Sequence, residues 1–415
     1  MNLLPRRTAV LVFLAFAFAY FFSALIRAIT ATLSPVLTQE FALNARDLGL
    51  LAGGYFLGFA ATQLPLGTWL DRHGPKRVIL CFLAVAVLGC VAFSMATSFV
   101  GLLAARFLCG VGVGACLMAP LTGYRRWFAT PVQIRSNSWM LMTGSMGMVA
   151  STLPVQWLMP LVGWRPLFSG LAFMVLMSMV LIAWQVPTWQ TLAPDSDAPH
   201  KKAGNYAEVW RHPYLRRLIP LGFFSYGGLL AIQTLWAIPW MIRIGAYTPV
   251  QATTGLFWIN VAMLCTFWSW GMVAPWLARR GLNAEYLMTR GVPVSLAVLA
   301  VLIVAGNQLA GGTGAVLAVY CMSASVVSLA QPAVGMAFPP ALAGRALSAF
   351  NLVIFSGVFV VQWGIGLLVD GFKALGLNEV QAFQGALGVF LCCCLVSYGY
   401  FVATKSHNAN EPHHE

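Results

Sequence analysis

The sequence predicts an all-α polytopic membrane protein, and three observations predict it. Of its 415 residues, 60% are hydrophobic and only 8% charged, where a soluble domain carries roughly 25% charged residues. The apolar residues gather in twelve stretches, each of about the 20 residues needed to cross the hydrocarbon of a bilayer. Residues of the first six stretches and their gaps recur at a fixed spacing in the last six.

The apolar stretches lie at roughly 9–38, 46–70, 76–97, 100–124, 136–160, 166–186, 215–243, 250–277, 286–306, 313–337, 344–370 and 378–404. Within hydrocarbon every backbone N–H and C=O needs an internal partner, so each stretch is expected to be a helix. The first, opening at Ala9 behind Arg6 and Arg7, is too long for the apolar region of a signal peptide. No small-residue cleavage site follows it, so it is expected to be retained.

The recurrence is specific. Phe128/Phe338, Arg135/Arg345, Ser138/Ser348 and Gly147/Gly357 are all 210 positions apart, and Leu70/Leu277, Arg72/Arg279 and Gly74/Gly281 are 207 apart. Similar offsets in equivalent loops point to a parallel six-helix duplication. The polar stretch 187–213, containing Pro194-Asp-Ser-Asp-Ala-Pro-His-Lys-Lys202, then reads as a linker. The expected division is 1–186 for one half, 187–213 for the linker, 214–405 for the other half and 406–415 for a tail.

The net charge of +13 comes from small basic groups in the gaps between apolar stretches. The termini and the even-numbered gaps hold eighteen of the 24 Lys and Arg; the odd-numbered gaps hold four, Arg46, Arg165, Arg243 and Lys373. The positive-inside rule therefore places both termini in the cytoplasm. No basic run with interleaved aromatics lies outside the apolar stretches, which argues against nucleic acid as a partner. All nine cysteines fall within apolar stretches without a C-x-x-C pair, and are expected to be small packing residues. No metal site, cofactor or catalytic residue is expected, since no nucleophile–base or metal-ligand cluster appears.

The gap after the second stretch reads Gly67-Thr-Trp-Leu-Asp71-Arg72-His-Gly74-Pro-Lys76-Arg77. Gly67 is expected to permit close helix approach, Gly74 a tight turn, and Asp71 to face neighbouring cations. This segment resembles the G-x-x-x-D-R-x-G-x-[RK]-[RK] loop of the major facilitator superfamily at every defining position. The equivalent loop of the second half keeps Arg279 and Gly281 but has Ala274 and Ala278 for Gly67 and Asp71. In the fourth stretch Arg106-Phe-Leu-Cys-Gly110-Val-Gly112-Val-Gly114 resembles the family's R-x-x-x-G-x-x-x-G element, often associated with proton coupling. The fifth stretch, with Gly144, Gly147 and Pro154, departs from the G-x-x-x-G-P-x-x-G-G pattern of the family's drug/proton antiporters. The resemblance implies twelve transmembrane helices in two pseudo-symmetric six-helix bundles around a cavity that opens alternately to each side. It implies that helices one, four, seven and ten line that cavity.

Arg27 lies inside the first apolar stretch, about one turn past its centre. A cation there costs on the order of 2.5–3.5 kcal/mol, so it needs a purpose or a route to water. No acidic residue lies near the middle of any stretch: all eleven, and all six histidines, fall in gaps, at helix ends or in tails. Buried positive charge without buried negative charge suits an anion, whose carboxylate a guanidinium fork matches. The run Tyr20-Phe-Phe-Ser23 followed by Arg27 is similar to the first helix of organic-anion members of the superfamily. Further candidates for the substrate site are Tyr20, Tyr124, Tyr226, Gln233, Trp236, Asn260, Gln331 and Asn351. Gln233, Trp236 and Trp240 share one helical face, and Pro239 is expected to kink that helix.

Together these features point to a secondary transporter of a small organic anion in a cell inner membrane. The expected partners are that anion, the bilayer and a coupling proton, and the protein is expected to be a monomer. The alternative is an exporter of neutral or amphipathic small molecules, with Arg27 structural and the aromatics (27 Phe, 15 Trp) lining the cavity. An enzyme is the reading with least support.

Overall fold

A computed structural model describes residues 3–188 and 206–404. Most of the expected linker, 189–205, and the tail 406–415 lie outside the described residues. Among the described residues the secondary structure is helical, with no strand.

Ten stretches are each long and apolar enough to cross a membrane, and two breaks account for the difference from twelve. Gly74 interrupts the continuous run Gln63–Met95 with φ 75° and ψ 162°, a conformation open to glycine but strained for other residues. It divides helix α2, comprising Ala45–Ala61 and 63–73, from α3, 75–95. The fifth crossing, α5, is split into Thr130–Ala150 and Leu153–Val162. Pro154 has no N–H to offer the carbonyl four residues back, and the Ser151 and Thr152 hydroxyls bond the Met148 and Val149 carbonyls at 2.7 and 2.5 Å.

The other crossings are α1 (Arg6–Phe41), α4 (Phe99–Trp127), α6 (Trp164–Gln185), α7 (Pro213–Arg243), α8 (Pro249–Arg279), α9 (Ala284–Ala305), α10 (Thr313–Met336), α11 (Pro340–Ala374) and α12 (Glu379–Ala403). A short linker helix, Tyr206–Arg211, precedes α7. An even number of crossings puts both chain ends on one side, called here the terminus side; the opposite face is the far side.

Pro239 does not end α7: the helix runs on to Arg243. The winding before it is irregular, with Leu221–Tyr226 and Ile232–Trp236 wound as π-helix. A π turn shifts the register of the residues beyond it. Gln233 and Trp236 consequently reach different neighbours, Asn260 of α8 and the Gln362 carbonyl of α11.

In the first half, α1 lies against α5 and α6, α3 against α4 and α6, and α2 against α4; in the second, α7 lies against α11 and α12, α8 against α10, and α9 against α10 and α12. The halves meet along α2–α11, α5–α8 and α1–α7. Two repeat pairs behave alike in space. Gly74 and Gly281 both hold positive φ, 75° and 79°. Gly147 lies where a Cβ would strike the Phe21 carbonyl of α1, and Gly357 where one would strike the Phe223 carbonyl of α7. Glycine lets two backbones close to this distance, which in lipid supplies the packing that holds helices together. Gly67 departs from expectation: nothing lies within 4 Å of the place its Cβ would take, so in this conformation it mediates no close approach.

Large apolar side chains point outward along the crossings, with Trp184 82% and Leu161 80% exposed, as a surface bathed in lipid requires. Overpacking a close helix crossing costs about 1–3 kcal/mol. Gly147→Leu and Gly357→Leu are each expected to lower the melting temperature in detergent, whereas Gly67→Leu leaves it unchanged; a thermal melt of the three variants checks this.

Candidate functional site

Arg27 stands about 5 Å past the midpoint of the 36-residue α1, at 1.5 Å per residue. Its guanidinium lies over the ring of Phe59, 5.9 Å from the centroid. Tyr20 of its own helix and Tyr55 of α2 are its nearest electrostatic neighbours. Tyr226 of α7, across the seam between the halves, sees Tyr20 and Arg27 in turn. The buried Nε of Arg27 finds no hydrogen-bond partner. Phe59 lies tilted against Phe355 of α11 at 4.4 Å, and Phe56 stacks on the same ring at 6.2 Å. A single cation is thus framed by aromatic rings from both halves.

Arg106 is wholly buried, so it does not extend to the surface. It donates from Nη1 to the Ile26 carbonyl at 2.9 Å, fixing α1 at the residue before Arg27. Its guanidinium also lies 4.9 Å from the Tyr55 ring centroid, where the face of the ring attracts a cation. Its Nε and Nη2 are unpartnered, as are the Tyr55 and Ser23 hydroxyls in the same half. Tyr55 is thus the electrostatic neighbour of both guanidinium groups. Among the described residues neither arginine has a carboxylate within ion-pair reach; the ion pairs join Arg46–Asp47, Arg165–Glu40, Arg217–Glu285, and Arg243 and Lys373 with Glu379.

The far side of the seam is closed by polar contacts between the halves. Asp370, near the end of α11, accepts from the backbone N–H groups of Ala45 and Arg46 at 3.3 and 2.8 Å. These are the first N–H groups of α2, where a carboxylate is favoured by the helix dipole. Asn260 of α8 donates to the Met148 carbonyl of α5 at 3.1 Å and accepts from Gln233 at 2.8 Å. Thr253 Oγ1 reaches Gln156 Oε1 at 3.5 Å. Gln362 donates to the Thr234 hydroxyl at 3.0 Å, leaving its own Oε1 unpartnered.

The structure brings some of the expected site residues together and separates others. Arg27, Tyr20 and Tyr226 form one cluster, while Gln233, Trp236 and Asn260 belong to the closed seam. Gln331 and Asn351 bond each other at 2.6 Å within the second half. Tyr124 is not at the cluster: it is fully buried, stacked on Phe128 at 4.5 Å and edged by Phe16 at 6.0 Å. Of the loop motif, Asp71 faces Arg345 of α11 and Arg125 of α4, Gly74 makes the turn, and Arg72 and Arg77 are exposed with Lys76 half-buried. The linker helix adds a brace, the Tyr206 hydroxyl donating to the Leu64 carbonyl at 3.0 Å.

Sequence reasoning names Tyr55 and Gln362 only as polar groups within helices, and does not single out Phe59, Phe355 or Asp370 as site residues. Tyr55 and Gln362 are polar groups in apolar stretches, which is a signal; the phenylalanines look like any membrane phenylalanine. Asp370 carries meaning only through the helix end it meets in the other half.

Two six-helix halves meeting around an arginine-centred aromatic cluster define a membrane carrier fold. The chain matches the profile of the Major Facilitator Superfamily over residues 16–361 and belongs to that family. It is 26% identical to the gallate transporter of Pseudomonas putida over 87% of each chain. It is 27% identical to the cis,cis-muconate transport protein of Acinetobacter baylyi, over 45% of this chain and 48% of that one. With the 4-hydroxybenzoate transporter PcaK of Pseudomonas aeruginosa the identity is 28%, over 37% of this chain and 35% of the relative. The chain thus spans about half or less of the length of these last two relatives. Among solved structures, the D-xylose–proton symporter superposes with a TM-score of 0.78 at 14% identity, covering 95% of this chain and 97% of that one. The inward-facing, unoccupied bacterial homologue of the human lysosomal transporter Spinster superposes with a TM-score of 0.76 at 16% identity, covering 97% and 98%. These likenesses show the fold.

A carboxylate at a helix N-terminus contributes about 0.3–1 kcal/mol. Asp370→Asn is therefore expected to loosen the far-side closure and speed labelling of a cysteine introduced at Gln156 by a membrane-impermeant maleimide applied from the far side, by about two- to fivefold. Labelling rates of the Gln156→Cys protein with and without Asp370→Asn check this.

Proposed function

We propose that the protein is a secondary active transporter that moves a small organic anion, an aromatic carboxylate in particular, across a bacterial inner membrane by alternating access. The observation that carries this reading is Arg27: a half-buried arginine deep in the membrane, with a buried Nε and without a carboxylate partner among the described residues, framed by Tyr20, Tyr55, Phe59 and Tyr226. Arg27 anchors the carboxylate and the rings hold the apolar body of the substrate, a division seen generally in small-molecule pockets. The names of the gallate, muconate and 4-hydroxybenzoate relatives support the same substrate class.

In this reading residues 1–186 and 214–405 rock against each other as a monomer, with both termini cytoplasmic. Gln233 and Asn260, with Trp236, join substrate contact to far-side closure. Gln331 and Asn351 offer amides from α10 and α11, and Tyr124 supports α4 from within its core. Asp71, Arg72, Lys76 and Arg77 act at the terminus-side seam.

Binding of a ligand at 100 times its dissociation constant adds about 2.7 kcal/mol of stability. Benzoate or 4-hydroxybenzoate is expected to raise the melting temperature of the wild-type protein, to raise that of Arg27→Lys less, and to leave Arg27→Gln unchanged. Equal stabilisation of wild type and Arg27→Gln would sink the anchor role. Stabilisation of both by neutral aromatic compounds, with no response to carboxylates, would favour export of neutral or amphipathic molecules instead.

A further inference from the structure

We infer that the protein is an obligate anion exchanger: it returns across the membrane only when an anion is bound. This rests on the anion-transport reading above. To reorient, a carrier passes through a state closed on both sides, in which the groups around its substrate lose contact with water. A guanidinium enclosed in that way is costly unless a counter-charge accompanies it.

The structure offers Arg27 no internal counter-charge. Among the described residues the acidic side chains are Glu40, Asp47, Asp71, Glu208, Glu285, Asp370 and Glu379. Glu40, Glu285 and Glu379 are committed to arginine or lysine at helix ends. Asp47 caps α2 beside Arg46, Asp370 holds the α2 N-terminus, and Asp71 faces Arg345 and Arg125. Glu208 belongs to the linker helix. The described histidines, His73 and His212, flank the terminus-side ends of α2 and α7.

A proton does not replace the missing charge. Protonation neutralises only an acid, and no acid or histidine stands beside Arg27; any other proton taken up there adds to the positive charge. Arg106 deepens the same bias. It is wholly buried, and its bonds to the Ile26 carbonyl and the Tyr55 face lie inside the first half. It therefore stays enclosed whichever side is open, adding a second uncompensated cation next to Tyr55. Arg27 differs in facing Tyr226 of the other half, so its surroundings change as the halves move. The bound carboxylate is the one group in this arrangement that leaves the enclosed site less positive.

The halves do make closing contacts on one side of Arg27. The seam between the halves is closed there by Asp370 on Ala45 and Arg46, by Asn260 on the Met148 carbonyl, and by the Phe56, Phe59 and Phe355 rings. Arg27 lies against the inner edge of that seal, over Phe59.

The test uses the purified full-length protein in liposomes, with radiolabelled 4-hydroxybenzoate outside and the membrane potential clamped. Vesicles contain either unlabelled 4-hydroxybenzoate or buffer alone, and protein-free vesicles are subtracted. Each pair is run with and without an inward proton gradient. Entry is expected to be about tenfold faster into anion-loaded vesicles, the scale of a modest difference between two forms of one carrier, and to ignore the proton gradient. Equal entry into loaded and buffer-filled vesicles, or entry driven by the proton gradient, would overturn exchange while leaving the anion-transport reading standing. No entry in any arm, with no thermal stabilisation by the same anion, would overturn both.

Discussion

The arrangement hangs on one hydrogen bond, from Arg106 to the carbonyl of Ile26. It joins α4 to α1 at the residue before Arg27, and it does so with a charge that has nowhere else to go. A buried guanidinium makes a strong bond to a carbonyl because the surrounding dielectric is low, and the same low dielectric penalises its unpartnered Nε and Nη2. Tyr55 neighbours both cations and presents its ring to Arg106. The first half thus has a positively biased centre, built before any ligand arrives. Pre-organised charge of this kind spares the ligand the cost of assembling its own site.

Around this centre the halves are held in two ways. On the far side stand one carboxylate on a helix end, a few amide and hydroxyl bonds and a stacked ring pair, each with a net contribution of about 1 kcal/mol. Beside them α2 and α11 approach through glycine: a Cβ on Gly49 would strike the Gln362 carbonyl, and one on Gly366 the Ala45 carbonyl. The same device operates inside each half at Gly147 and Gly357. Close backbone packing therefore runs through the seam as well as through the halves.

How much of this was legible in the sequence depends on the range of each interaction. Crossing number, the duplication and Arg27 were legible because they depend on local composition and on spacing. Gly74 was legible because a turn needs its φ. The π winding of α7 was not, since it is a matter of hydrogen-bond register rather than of composition. Arg106 could not be placed from sequence, because its partner is a backbone carbonyl 80 residues away. Tyr124 was a candidate as a polar group within a helix, but it packs with Phe128 and Phe16. Gly67 matched its motif without the close contact expected of it. Asp370 drew no attention because the helix end it meets belongs to the other half.

The π-wound turns of α7 have a consequence of their own. Each stores one residue more than an α-helix would use for the same turn. Handing that residue along the helix rotates everything beyond it by about 100° and advances it by about 1.5 Å, with few hydrogen bonds lost at any instant. Between Leu221 and Trp236 the chain holds two such turns in succession. Gln233 and Trp236 sit in the second, so slack in the winding becomes torque on the side chains that touch α8 and α11. The helix is, in mechanical terms, a ratchet spring rather than a strut.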